Sequence, residues 1–305
     1  MNQKVPFDLR VSNFLLRSLK NYKKKRQHNI QKKKDREWIN LFGSNSSLTH
    51  HLTDDIRIKL YRDSILSGMI YDGFEESEIG FLQKVLREGD IFFDVGANIG
   101  LFSLYAASLV GKDGKVWAFE PAPITFSRLK ENILLNDFVQ VETLNIGISD
   151  KAGEEYLHIS EDGRDGWNTF ANGNADLFSA GMNVTVDSLD NFVVQHNIDI
   201  SKIKLIKIDV EGWEVPVIKG MKKIMRENNN AILLAEFTQK NSLAAGFNCY
   251  QLYDLVSDMG FSWFSYNSQK NLLFPEKKRV EYPYINLIAT GNVEALSRYV
   301  PVRQA

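Results

Sequence analysis

The chain has 305 residues, 44% hydrophobic and 25% charged, which is the balance of a soluble globular protein with material for one large or two modest domains. Its single cysteine, Cys249, excludes an internal disulfide framework and a cysteine-rich zinc site and suits a reducing compartment. The formal net charge of −1 conceals an asymmetry, because residues 1–50 carry 12 Lys/Arg against 3 Asp/Glu and the remainder carries 25 against 35.

A basic arm over residues 1–50 therefore precedes an acidic body, with a boundary between Trp38 and Ile56. Within the arm, Val11, Phe14, Leu15, Leu19 and Tyr22 fall at helical spacing and run into KKKRQHNIQKKKDREW. Such a basic amphipathic segment suits an anionic membrane surface or a partner, against the plain alternative of a solvated arm. Aromatic residues hardly interleave with the lysines, which disfavours nucleic acid. No apolar run approaches the roughly 18–20 residues of a membrane span. The opening MNQKVPFDLRVSNFL has no signal-peptide core either, so the expected location is cytoplasmic, peripheral at the membrane if the arm binds one.

Residues 51–90 read as a lead-in unit. IRIKLYRDSILSGMIY, residues 56–71, alternates at first and is expected to form a small hairpin, followed by the helix EESEIGFLQKVLREGD. From Ile91 to the end, strands alternate with helices: IFFDVG, KVWAFE, VQVETLNIGIS, MNVTVDS, IKLIKIDV, AILLAEF, FSWFSYN and YINLIAT are separated by amphipathic segments. That rhythm calls for an α/β fold, a mostly parallel sheet with helices on both faces.

In such a sheet, ligands sit outside the carboxyl ends of the strands, where strand order reverses. DVGANIG lies at one such end. Gly96 permits the strand-to-helix turn and Gly100 a close backbone approach where the helix starts. The Gly-x-x-x-Gly spacing departs from the dinucleotide pattern, and Asp94 is a poor neighbour for a pyrophosphate but a good one for a cation. Glu120 ends the next strand, where an acid accepts hydrogen bonds from ribose hydroxyls. Together the two features point to a cationic adenosine ligand without a diphosphate, of which S-adenosylmethionine is the obvious candidate.

These residues, FFDVGANIGLFSL, AFEP, LNIGISD and above all IKIDVEGWEVPVIKG, resemble the FkbM-type methyltransferases over roughly Ile91 to Phe237. The resemblance implies a class I, Rossmann-like methyltransferase sheet, S-adenosylmethionine as methyl donor, and O-methylation of a sugar, glycan precursor or related natural product. By position it places Asp94, Gly96 and Asn98 at the methionine part of the donor, Glu120 at the ribose, and Asn145 with Gly147 at the adenine edge. Gly147 stands where the family usually has alanine, and Asp187 where it often has threonine.

The strand IKLIKIDV ends in Asp209, Glu211 and Glu214, with Pro216 suited to a first helical turn. Asp209 is the first candidate to orient an acceptor hydroxyl or take its proton, then Glu211, then Glu236 at the end of AILLAEF. The competing reading is structural: Glu211 holds the turn, Glu214 caps the helix, and one acid is the counter-ion of Lys207. His158 is a further candidate base, more readily a structural histidine. No histidine or second aspartate lies near Asp209 in sequence to complete a ligand set, so no metal is assigned. The long Gly/Asn-rich loop Glu161–Gly181, with Trp167, Asn168, Phe170 and Phe178, reads equally as a merely flexible connection or as a wall against a polyhydroxylated small-molecule or glycan acceptor. The rival functions are a nucleic-acid methyltransferase that uses the arm, and a non-catalytic scaffold that retains the cofactor pocket.

Deleting Met1–Arg36 is expected to lower binding to anionic liposomes in co-sedimentation while leaving donor affinity intact; undiminished sedimentation would remove the membrane role.

Overall fold

The computed structural model describes residues 32–160, 163, 165–171 and 180–303. The chain divides into two units, up to Leu48 and from Thr49 onward. In the first unit, α1 covers residues 32–42, and Trp38 packs edge-on against Phe42 one turn later. The amphipathic stretch from Val11 to Tyr22, on which the membrane reading rests, lies outside the described residues. Among the described residues, no helix is long and apolar enough to cross a membrane.

In the second unit, the short strands β1 (Ser47–His51) and β2 (Arg57–Tyr61) pair with each other. The expected hairpin over residues 56–71 is half right. Its second half is the helix α2 (Ile65–Tyr71), because Ser64 caps it: the Ser64 hydroxyl accepts the Ser67 N–H at 2.9 Å. Next come α3 (Glu76–Val85), β3 (Ile91–Val95), α4 (Leu101–Val110), β4 (Lys115–Phe119), α5 (Pro123–Leu134) and β5 (Val141–Leu144). The segment expected as one strand after α5 breaks after Leu144, and its end becomes β6 (Gly147–Ile148). This strand forms a separate three-stranded sheet with β7 (Gly153–Ile159) and β8 (Ala180–Asp187), in the order β6-β8-β7.

The second half runs α6 (Leu189–Gln195), β9 (Ile203–Ile208), α7 (Glu214–Lys219), α8 (Lys222–Glu227), β10 (Ile232–Phe237), α9 (Gln239–Ala244), α10 (Cys249–Asp258), β11 (Ser262–Asn267), β12 (Leu272–Pro275), β13 (Ile285–Thr290) and α11 (Val293–Ser297). The eight-stranded sheet has the order β12-β11-β13-β10-β9-β3-β4-β5. Strands β10, β9, β3, β4 and β5 are parallel, and β13, β11 and β12 close one side antiparallel. This is the class I methyltransferase architecture. Strand order reverses between β3 and β9: the chain moves from β3 to β4 and β5 on one side, then returns to β9 on the other.

Alternation assigns the faces. Phe93 and Val95 of β3, with Ile206 and Ile208 of β9, pack into the core that holds Phe192 of α6, Ile218 of α7 and Val256 of α10. The opposite face of the same strands carries Asp94 and Lys207, which are register partners. Apart from Asp94, Lys207 and Glu236, the buried residues of the parallel interior strands β3, β9 and β10 are apolar, as burial under two helical layers requires.

The lead-in unit is tied to the sheet through α5. Asn136 accepts from the Arg57 N–H and donates to the Arg57 carbonyl. The wholly buried Asn132 accepts from the Lys59 N–H at 2.7 Å and donates to the Ile99 carbonyl at 2.8 Å, so one amide joins β2 to the glycine turn after β3. Asn132→Leu, which strands a backbone donor and a backbone acceptor, is expected to cost about 2–6 kcal/mol in denaturant unfolding at about 1–3 kcal/mol per unpaired group; a loss below 1 kcal/mol would deny Asn132 that role.

Candidate active site

Five residues after β3, Gly96 to Gly100, build the first half of the site. Gly96 has φ +80°, and a Cβ there would lie 1.8 Å from the carbonyl oxygen of Asp209. The N–H groups of Gly96 and Ala97 both donate to the Phe119 carbonyl, at 3.1 and 2.9 Å. Asn98 N–H donates to Glu120 Oε2 at 3.0 Å, Ile99 N–H to Asn98 Oδ1 at 2.8 Å, and Gly100 N–H to the Ala97 carbonyl at 2.9 Å. All five donors of the turn are therefore used inside the protein, which leaves none for a phosphate cradle. At Gly100, φ is +96° and a Cβ would meet Leu129 of α5 at 2.7 Å, so the close approach here is helix packing rather than ligand contact.

Glu120 is 5% exposed and on the cavity wall. Its Oε2 receives the Asn98 N–H and its Oε1 the Ala122 N–H at 2.9 Å. Asn145, expected at the adenine edge, is exposed and does not line this cavity: its amide donates to the Glu120 and Pro121 carbonyls, both at 2.9 Å, and so fixes the turn that carries Glu120. Gly147 is also off the wall; a Cβ there would meet the Phe170 ring at 2.7 Å, so its bareness seats Phe170. Asp94, expected at the methionine part, is wholly buried beneath the floor, where its Oδ2 accepts from Ser103 Oγ at 2.6 Å.

The second half of the site follows β9. Lys207 is 5% exposed and donates to Asp209 Oδ2 at 3.0 Å. Burial alone would lower the Lys207 pKa, but the charges of Asp209, Asp94 and Glu75 outweigh it and hold the ammonium above the usual lysine range. The counter-ion role is thus carried by Asp209 on the cavity side and Asp94 below it. Strand alternation does not extend to Glu211, which lies in a turn with φ +52°. That turn is held by Glu214, whose Oε1 accepts from Val210 N–H at 3.3 Å and Gly212 N–H at 3.1 Å. Glu211 itself accepts from the Asn241 amide. Glu236 arrives from the end of β10, and carboxylate oxygens of Asp209, Glu211 and Glu236 lie within 4.8 Å of one another. Burial first, and then the charge of Asp209, pushes Glu211 and Glu236 well above the usual carboxylate range. Glu75, raised to about 7 by burial and then by Asp209, accepts from the Tyr284 hydroxyl at 3.1 Å.

These two halves face one cavity of about 410 Å³, of the size that takes a small cofactor with part of an acceptor. The long loop supplies Trp167, Asn168 and Phe170 to its wall, and Thr169 Oγ1 donates to the Glu211 carbonyl at 2.7 Å. Phe178 lies outside the described residues. His158 sits in β7, where its backbone pairs with Thr169, away from the wall. Sequence reasoning missed Leu66 and Met69 of α2, Phe74 and Tyr284, which complete the wall. The Asp63-Ser64 cap signal before Ile65 was the available clue to α2.

The chain matches the Methyltransferase FkbM domain family over residues 94–262, more than half its length. It belongs to that family. The hexuronic acid methyltransferase AglP of Haloferax volcanii is 30% identical over 161 residues, which cover 52% of this chain and 61% of that protein. The 31-O-demethyl-FK506 methyltransferase FkbM of Streptomyces tacrolimicus is 32% identical over 160 residues, covering 45% and 61%. Both matches thus span about three fifths of the relative. A solved structure of methyltransferase FkbM from Methylobacillus flagellatus is 14% identical with a TM-score of 0.42, over 73% of this chain and 54% of that one.

The residues fit the donor that the family resemblance implies. A turn without free N–H donors and a wall of carboxylates suit a cationic nucleoside and oppose a diphosphate.

Glu214 provides a test of the buried charge. Burial raises its pKa to about 7, against the lowering effect of its backbone N–H partners. The folded state then binds more protons than the unfolded state between about pH 4.5 and 7, so this group's contribution to stability falls as pH rises through that window. Glu214→Gln keeps an oxygen for Val210 and Gly212, and its melting temperature relative to the parent is expected to be several degrees higher at pH 8 than at pH 5; a pH-independent difference would mean that Glu214 is ionised throughout.

Proposed function

We propose that the protein is an S-adenosylmethionine-dependent O-methyltransferase acting on a hydroxyl of a sugar, glycan precursor or related natural product. The observation that carries this reading is the meeting, in one cavity at the strand-order reversal, of the glycine turn with Glu120 and of the carboxylates of Asp209, Glu211 and Glu236. When bound, the donor supplies a methyl group on a cationic sulfur. The chain supplies the rest. Glu120 receives the ribose hydroxyls, Gly96 to Asn98 form the surface along which the donor lies, and the acids receive the acceptor hydroxyl and its proton.

Positioning accounts for most of the acceleration of an in-line methyl transfer, up to ~7–11 kcal/mol in favourable cases, and proton removal for roughly 10²–10⁴-fold. The aromatic faces of Trp167 and Phe170, with the amides of Asn168 and Asn241, suit a polyhydroxylated acceptor. AglP, named as acting on hexuronic acid, favours a sugar in the same direction. Nucleic acid as acceptor has no such support: the cavity is lined by acids, which repel a phosphate backbone.

The test is a transfer screen with labelled donor against sugars, glycolipid precursors and small alcohols, with donor binding measured separately by calorimetry. Labelled product is expected from at least one polyhydroxylated acceptor, and Asp209→Asn should lower its turnover about 10²–10⁴-fold with donor affinity within a few-fold. Tight donor binding with no product across the panel would favour the scaffold reading, and equal loss of turnover and affinity would assign Asp209 to binding.

A further inference from the structure

The acid-rich end of the cavity crowds carboxyl groups together. Asp209, Glu211 and Glu236 bring three into one place, while Lys207, the one ammonium among the described wall residues, is already shared by Asp209 and the buried Asp94. One further polar atom at this place is left over. Oε2 of Glu236, on a wall side chain 5% exposed, is buried without a well-formed hydrogen bond, and the Thr238 hydroxyl beside it only partly offsets its burial. A buried carboxylate oxygen left unpaired is costly, and sites of this kind are completed by a ligand.

We propose that Asp209, Glu211 and Glu236 form a binding site for one hard divalent cation, which holds the acceptor through two neighbouring oxygens. The spacing allows it: the carboxylate oxygens lie within 4.8 Å of one another, no farther apart than two oxygens on opposite sides of an ion bound at about 2.4 Å. The donor set is all oxygen, which selects magnesium, calcium or manganese over zinc or copper. Three protein ligands leave about three of six positions open toward the cavity, enough for a vicinal diol or a hydroxy acid together with a water. A hydroxyl bound there is acidified by the ion, while Lys207 keeps Asp209 fixed from the other side. The acceptor role rests on the methyltransferase reading, but the ion site itself does not.

The experiment titrates Mn²⁺ into chelator-treated full-length protein and reads free Mn²⁺ by electron paramagnetic resonance, with donor binding measured by calorimetry on the same samples. One tight equivalent is expected. Glu236→Gln and Glu211→Gln should each weaken it at least 10-fold with donor binding retained, which shows that the variants are folded. Glu154→Gln, at an exposed position on β7, should leave Mn²⁺ binding unchanged. Less than half an equivalent in the parent protein, or the same affinity in both cluster variants, would overturn the site even if donor binds and methyl transfer proceeds. Failure to bind donor would strike at the methyltransferase reading instead and leave the Mn²⁺ result to stand by itself.

Discussion

The contact on which the site depends is between two backbones. The carbonyl of Asp209 fills the space that a side chain at position 96 would need, and the Asp209 N–H donates to the Val95 carbonyl at 3.0 Å, one residue beyond the end of β9. The donor turn and the acid turn therefore begin side by side and cannot move independently. Glycine at 96 is required twice, by φ +80° and by the neighbour at 1.8 Å. Because β3 and β9 are adjacent in space but far apart in sequence, the reversal of strand order turns this one approach into a cleft with two chemically distinct sides.

The two sides handle their buried charge differently. Glu120 is stabilised by backbone N–H groups from both flanks, a rigid arrangement that needs no counter-ion. On the other side, Lys207 serves several acids at once. Its register partner Asp94 lies beneath it and Asp209 above it, so the ammonium remains charged despite burial. Removing one member of such a group leaves the others uncompensated, which is why buried ion pairs are costly to break even where they add little to stability. Among the described residues, Glu211 and Glu236 have no ion-pair partner of their own, and burial beside Asp209 pushes both well above the usual carboxylate range.

Much of this was legible in the sequence because apolar runs that stop at glycine or an acid mark the carboxyl ends of strands. IFFDVG, KVWAFE and IKLIKIDV identified the right three ends, and the loop around Trp167 was expected at the wall and lies there. Period-two alternation also puts Asp94 on the same face as Lys207 once their strands are neighbours, yet strand order cannot be read from one sequence. For the same reason Asp94 looked like a ligand contact when it is a buried counter-ion. Glu236 joins Asp209 and Glu211 only because β10 is the parallel neighbour of β9. The strand β12 escaped because LLFP is four residues long, has no alternation and ends in proline. Past Ile208 the alternation rule fails outright, since Glu211 has left the extended conformation.

The wall of the cavity is built partly inside and partly outside the segment that matches the family. Glu120, Asp209, Glu211 and Glu236 all lie within residues 94–262, the span of the family match. Leu66, Met69 and Phe74 come before it and Tyr284 after it, yet they border the same space. A relative that keeps the core while differing in these flanking elements would present a different surface to the acceptor around the same donor turn. Tyr284 shows how direct that influence is: its hydroxyl holds Glu75, whose charge acts in turn on Lys207. The elements that flank the matched segment, α2 and the approach to β13, therefore shape this cavity through apolar contact on one side and through the shared buried charge on the other.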